Sequence, residues 1–326
     1  SDGGDGTEQY VVLRRSTDGG VTFGEMQIVF GPGHPDFFVA VQTGVMSVLL
    51  LVEDGNSNLR ISSEDGGVSW SDPTPLVVVQ MSDHHPDPGS FAKVSPAVGK
   101  GVTVQEGDSQ SGHEGTGGTG GGGGGRLLLA PFVCTKAAVT PGVSALGVSS
   151  PPAVTGDHGL CPLCHSCIVR SEDNGKTWSL AAVAQPGSRE SSLAAFTQPG
   201  EGGAARTPSR LYVSERNMGH DIGHRMQSWS EDSGSTLLSE SVNSDLPEPV
   251  TANWTGVVGS VLALPVQTLT SSGGGVQRLV YSGPASSTSR SNISLFVSRD
   301  SGLSWDRRVV VHTGPSGYSD MATLDS

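Results

Sequence analysis

The chain has 326 residues, rich in Gly (47) and Pro (20), with only 16% charged side chains. This suits many short strands joined by tight turns and argues against a helical bundle. The formal net charge of −13 speaks against nucleic acid or an anionic membrane as partner, and no stretch reaches the roughly 18 apolar residues of a membrane-spanning helix.

In chain order, Ser1 to Gly6 has neither the basic start nor the apolar run of a signal peptide, and no initiator Met. The N-terminus therefore reads as incomplete or processed, and Asp5 lies within it. Tyr10-Val-Val-Leu13 is strand-like and runs into Ser16-Thr-Asp18-Gly-Gly20-Val-Thr-Phe23. That octet returns after Leu59-Arg-Ile-Ser62, as Ser63-Glu-Asp65-Gly-Gly67-Val-Ser-Trp70. After Cys167-Ile-Val-Arg170 it reads Ser171-Glu-Asp173-Asn-Gly175-Lys-Thr-Trp178. A worn copy, Ser230-Glu-Asp232-Ser-Gly234-Ser-Thr-Leu237, follows. The last, Ser298-Arg-Asp300-Ser-Gly302-Leu-Ser-Trp305, follows Ile293-Ser-Leu-Phe-Val297. All five keep Ser, Asp and Gly, the residues of a hairpin turn. Ser and Asp bond nearby backbone, and Gly supplies positive φ. The aromatic acts as an anchor. A repeat at this scale marks one supersecondary unit per copy, and its Asp residues are structural rather than catalytic.

Between the octets lie insertions and candidate site residues. Residues 107–125 are a Gly-rich low-complexity loop without the Gly-Lys-Ser/Thr ending of a phosphate loop. A smaller insertion covers 200–208. Cys134, Cys161, Cys164 and Cys167 are the four cysteines, three of them in the run Cys-Pro-Leu-Cys-His-Ser-Cys, whose two-residue gaps also occur in zinc and iron–sulfur sites. A fourth ligand would have to be the distant Cys134, so disulfides or free thiols are the preferred reading. Asn253-Trp-Thr255 and Asn292-Ile-Ser294 fit the N-glycosylation pattern. A glycan on Asn292 would obstruct Arg290, so that site is expected to be unused.

The octets resemble the Asp-box of β-propellers, which sits between the outer two strands of a blade. Further segments resemble the sialidase superfamily in order and spacing: Gly125-Arg-Leu-Leu-Leu-Ala-Pro131, Arg189-Glu190-Ser-Ser-Leu193, Arg210-Leu-Tyr-Val-Ser-Glu-Arg216-Asn217, Ser282 to Asn292 around Arg290, and Gly314-Pro-Ser-Gly-Tyr318-Ser-Asp320. The resemblance spans nearly the whole chain. It implies one all-β domain over 1–326, a six-bladed β-propeller of four-stranded antiparallel blades, incomplete at both termini. It also implies an exo-α-sialidase acting on sialylated glycans, with retention at the anomeric carbon and no metal or other cofactor. Carried over, Tyr318 is the nucleophile, Glu190 its base and Asp5, nine residues before Arg14, the acid/base. Arg216 and Arg290 clamp the sugar's carboxylate, to which a guanidinium offers a fork of donors at any working pH. A neutral phenol avoids the repulsion a carboxylate nucleophile would meet from that carboxylate. Arg225 is open to two readings, a pocket residue or a structural one. The Arg-Ile-Pro segment that carries the family's first arginine is absent from the sequence. A sialoglycan-binding module without turnover, or an Asp-box propeller with another partner, is therefore the alternative. The substrate points to a secreted, lysosomal or membrane-associated protein.

Overall fold

The computed structural model describes residues 8–79, 91–105, 126–136, 161–196, 210–219, 223–250, 255–264 and 278–323. Asp5, Asn253 and both insertions lie outside these residues.

The described residues form β-strands and turns. β1 (Gln9–Leu13) and β2 (Gln27–Gly33) make a two-stranded antiparallel sheet. β3 (Pro35–Gln42), β4 (Val48–Asp54), β5 (Ser57–Ser63) and β6 (Thr74–Pro75) then pair in succession as an antiparallel blade. Next come β7 (Val78–Val79), β8 (Phe91–Pro96), β9 (Gly99–Lys100), β10 (Val102–Gln105), β11 (Arg126–Lys136), β12 (Cys164–Ser171) and β13 (Trp178–Val183). β11, β12 and β13 are the successive antiparallel strands of the second blade. Its inner place is shared, with β10 along Arg126 to Leu129 and β8 along Phe132 to Lys136. Between those two pieces β9 swings out to run parallel to β3 of the preceding blade, while β7 runs parallel to β13. Gly101 permits the swing, because a Cβ there would stand 2.5 Å from the Leu129 carbonyl oxygen and 2.8 Å from Val41.

Two regular blades follow. β14 (Ser188–Phe196), β15 (Arg210–Asn217), β16 (His224–Ser230) and β17 (Leu238–Pro247) form one. β18 (Ser260–Ala263), β19 (Leu279–Pro284), β20 (Ser291–Ser298) and β21 (Asp306–Pro315) form the other. The architecture is thus the expected all-β propeller. Against the six blades expected, the described residues form four blades and one two-stranded sheet. In all five sheets the octet joins the last two strands of the meander.

Each octet makes the same bonds. The Ser hydroxyl donates to the Asp carboxylate and accepts the N–H of the Gly four residues on, at 2.8 Å in every copy. The Asp then accepts from the backbone N–H and hydroxyl of the Thr or Ser four residues after it. The Gly residues hold φ between +81° and +97°. These bonds hold the carboxyls of Asp18, Asp65 and Asp173 at about 2, against 3.8 ordinarily. Every box carboxylate is therefore committed to its own turn.

The core lies between blades, face to face. Val39, Leu51, Phe132, Val169 and Trp178 close the seam between the first two blades, and Leu127, Leu129, Ile168, Leu193 and Val213 the next. Tyr212, Trp229, Tyr281, Phe296 and Trp305 fill the seam between the last two. The cysteines pair as Cys134–Cys167, tying β11 to β12, and Cys161–Cys164, closing the turn into β12. The Cys-Pro-Leu-Cys-His-Ser-Cys run is therefore a cross-linking segment, which replaces its metal reading.

Candidate active site

The site begins with a register fault. Ser188 on β14 faces Asn217 on β15, and Ser191 faces Glu215, so Arg189 and Glu190 share the place opposite the single residue Arg216. Such a bulge re-aims side chains. Here it brings Glu190, wholly buried, against the buried Arg216. Arg216 Nη1 donates to both Glu190 oxygens, at 3.1 and 3.0 Å. Its Nε and Nη2 donate to the Thr255 carbonyl at 2.9 and 2.6 Å. Burial works against the guanidinium's charge, but Glu190, Tyr318 and Glu248 together outweigh it and raise the Arg216 pKa above its ordinary value.

Arg290, half-buried, comes from the turn before β20. Its Nη2 donates to the Gly256 carbonyl at 2.9 Å. Its guanidinium lies over the Tyr318 ring, 5.7 Å from the centroid, within the range of a cation–π contact. Tyr318 follows β21 on an extended segment held to the same turn by the Ser316 N–H donating to the Arg290 carbonyl at 2.8 Å. Beyond it, Ser319 Oγ donates to the Ser282 carbonyl at 3.0 Å and Ser260 Oγ to the Asp320 carboxylate at 2.6 Å. The tyrosine is thus pinned on both sides while 47% of it remains open to solvent. Partial burial and the Glu190 carboxylate raise its pKa, against the pull of Arg216, Arg290 and Arg189. Tyr318 is a neutral phenol at neutral pH.

Arg189, on the other side of the bulge, lies over the Phe37 ring at 5.7 Å, with Nη1 4.0 Å from Glu190. Arg225 is only 1% exposed. It donates to Ser214 Oγ and the Val257 carbonyl, each at 2.8 Å, pairs with the Glu248 carboxylate, and lies over the Tyr281 ring. It is a buried cation held by three acceptors, which favours the structural of its two sequence readings. The structure therefore brings Glu190, Arg216, Arg290 and Tyr318 together, while Asp5 lies outside the described residues. Asn292 Oδ1 accepts the Gly314 N–H at 3.4 Å.

Sequence reasoning missed Glu248, Tyr281 and the carbonyls of residues 255–257. Nothing in Pro247-Glu248-Pro249 marks that acid among the others, and a carbonyl carries no sequence signal.

The fold and this cluster define a propeller in which two arginines, a carboxylate and a phenol meet, and comparison with known proteins supplies the family. Residues 160–325, just over half of the chain, match the family described as "BNR repeat-like domain". The chain belongs to that family, within the sialidase superfamily. It is similar to a sialidase of Micromonospora viridifaciens, 24% identical over 96% of this chain and 43% of the relative. It is also similar to Sialidase-3 of Mus musculus, 27% identical over 51% of this chain and 45% of the relative. The chain thus spans less than half the length of these curated relatives. Among solved structures, the Hadza microbial sialidase Hz136 superposes with a TM-score of 0.64 at 18% identity, over 95% of this chain and 54% of the other. A leech intramolecular trans-sialidase gives 0.54 at 11% identity, over 92% and 55%. At such identities these likenesses speak to the fold.

Proposed function

We propose that the protein is an exo-α-sialidase that removes terminal α-linked sialic acid from glycans with retention, through a tyrosine nucleophile. The observation that carries this reading is the convergence of Arg216, Arg290, Glu190 and Tyr318 from four separate stretches of chain. One guanidinium lies over the phenol ring, the other is bonded to a buried carboxylate, and the charges of that pair bear on the phenol. A neutral substrate has no use for paired arginines at the attacking oxygen; a sugar with a carboxylate on its reacting carbon does.

In this reading the substrate carboxylate enters between Arg216 and Arg290 and competes with Glu190 for the Arg216 donors. Glu190 takes the phenolic proton as Tyr318 Oη bonds to the anomeric carbon. Asp5 gives its proton to the departing glycosidic oxygen. Asp5 then takes a proton from water as the water oxygen attacks the same carbon. Glu190 returns its proton to Tyr318, which leaves as the phenol. Two displacements give net retention, and atoms balance as glycoside plus water to sialic acid plus alcohol.

Release of a fluorogenic leaving group from an α-sialoside tests the proposal. Tyr318→Phe is expected to abolish turnover with sugar binding retained, and Glu190→Gln to slow it by roughly a hundred- to ten-thousandfold. Turnover that survives Tyr318→Phe would sink the mechanism. Sialoside binding by the wild-type protein with no turnover would decide instead for a second reading, a sialoglycan-binding module.

A further inference from the structure

Three consecutive backbone carbonyls each receive a different arginine. Thr255 accepts from Arg216 on β15, Gly256 from Arg290 in the turn before β20, and Val257 from Arg225 on β16. The short segment 255–257 is therefore where three separate elements are set against one another. Beneath it lies Glu248, 1% exposed and paired with Arg225. Its carboxylate fills the space beside Gly256 so closely that a Cβ on residue 256 would stand 1.8 Å from Glu248 Oε2 and 2.9 Å from Arg216 Cγ. Gly256 holds φ at +62°, and its N–H donates to the Pro249 carbonyl at 2.7 Å. Glu248, the Gly256 backbone and Arg216 thus fix one another's position.

Stability alone does not account for this arrangement, since a buried ion pair is often no more stabilising than apolar residues of the same volume. What the pair does is geometric. Arginine side chains lose much rotamer freedom when held in place, and two of them must converge here on one small anion. A rigid row of acceptors meets that cost in advance of ligand binding.

We propose that Glu248, paired with Arg225, is a positioning residue that holds the 255–257 carbonyls in the register at which Arg216 and Arg290 converge on a substrate carboxylate. Neither Glu248 nor Arg225 touches the sugar. The inference rests on the sialic acid reading of the site.

The test compares two ligands, methyl α-sialoside and its neutral methyl ester, titrated calorimetrically into the full chain and its variants. Glu248→Gln keeps the shape but removes the charge. Gly256→Ala presses on the same contact from the backbone side, and Arg225→Lys alters the pair from the other partner, so a variant that fails to fold leaves the others to decide. Thermal melts accompany each titration. The expected result is that affinity for the acid falls by roughly ten- to a hundredfold, the scale of a misplacement of about 1 Å, while affinity for the ester hardly moves. A structural role without positioning predicts equal losses for both ligands, or none for either, and both outcomes overturn the proposal. A wild-type protein that binds neither ligand sinks the sialic acid reading itself, whereas wild-type binding with unchanged variants sinks the positioning role alone.

Discussion

Glu215 stands one residue before Arg216 on β15, yet its surroundings are the opposite of those of Glu190 across the bulge. It is 1% exposed, and its Oε1 accepts from Ser228 Oγ at 2.6 Å. Burial, aided by the Glu240 charge and resisted by the Ser228 bond and the Arg225 charge, pushes its carboxyl from 4.5 up to about 7. The unfolded chain therefore ionises this group first. Folding stability falls as pH rises from about 4.5 to about 7, and the penalty is fully present above that. Glu215→Gln is expected to melt at a higher temperature than the wild type at pH 8, with the gain vanishing towards pH 4.5. An equal gain at both pH values would contradict this assignment. The box aspartates act in another window. Their depressed carboxyls contribute stability above about pH 4 that is lost as pH falls through about 2.

At the scale of the element, the five octets share their Ser, Asp and Gly bonds but differ in burial. Gly175 is buried, so its N–H has the Ser171 hydroxyl and no water to turn to, whereas Gly20 of the first octet is open to solvent. Ser171→Ala leaves a buried donor unsatisfied and is expected to cost about 1–3 kcal/mol. Ser16→Ala is expected to stay within about 0.5 kcal/mol. Denaturant midpoints of the two variants check this, and equal losses would show that the box acts independently of its burial. The octets were fully legible in sequence, because the Ser, Asp and Gly bonds they share close within eight residues. The β14–β15 bulge was not. Ser-Arg-Glu-Ser carries no residue that demands an extra step, and the step exists only because β15 pairs with β14 on both sides of it.

The whole molecule is held by the seams between blades. Trp178 is 1% exposed in the seam between the first two blades, and its indole N–H donates to the Gly175 carbonyl at 3.1 Å. Trp178→Ala empties that place and is expected to cost about 3–5 kcal/mol. That is a large share of the roughly 5–15 kcal/mol that holds a typical domain together. Phe23, the corresponding residue of the first octet, is 58% exposed, so Phe23→Ala is expected to change stability by less than about 0.5 kcal/mol. Thermal melts of the pair separate the two cases, and similar shifts would contradict the seam as the source of stability. The sheets at the two ends differ from the blades between them. Val12 and Ile28 on β1–β2, and Val309 and Val311 on β21, remain exposed.

By itself the sequence determined the unit of the fold, the order of the blades and the stretches that carry Glu190, Arg216, Arg290 and Tyr318. Turn chemistry is local, and strand-plus-octet periodicity repeats at a scale that needs no contact with the rest of the chain. Tertiary structure alone decided how those side chains meet. The pairing of Arg216 with Glu190 depends on a bulge, and the seating of Arg290 over Tyr318 depends on the path of the chain beyond β21. It likewise decided that Arg225 is sealed behind the site and that Glu248 lies beneath it, because three arginines are aligned by backbone carbonyls, groups that every residue possesses and no residue type announces.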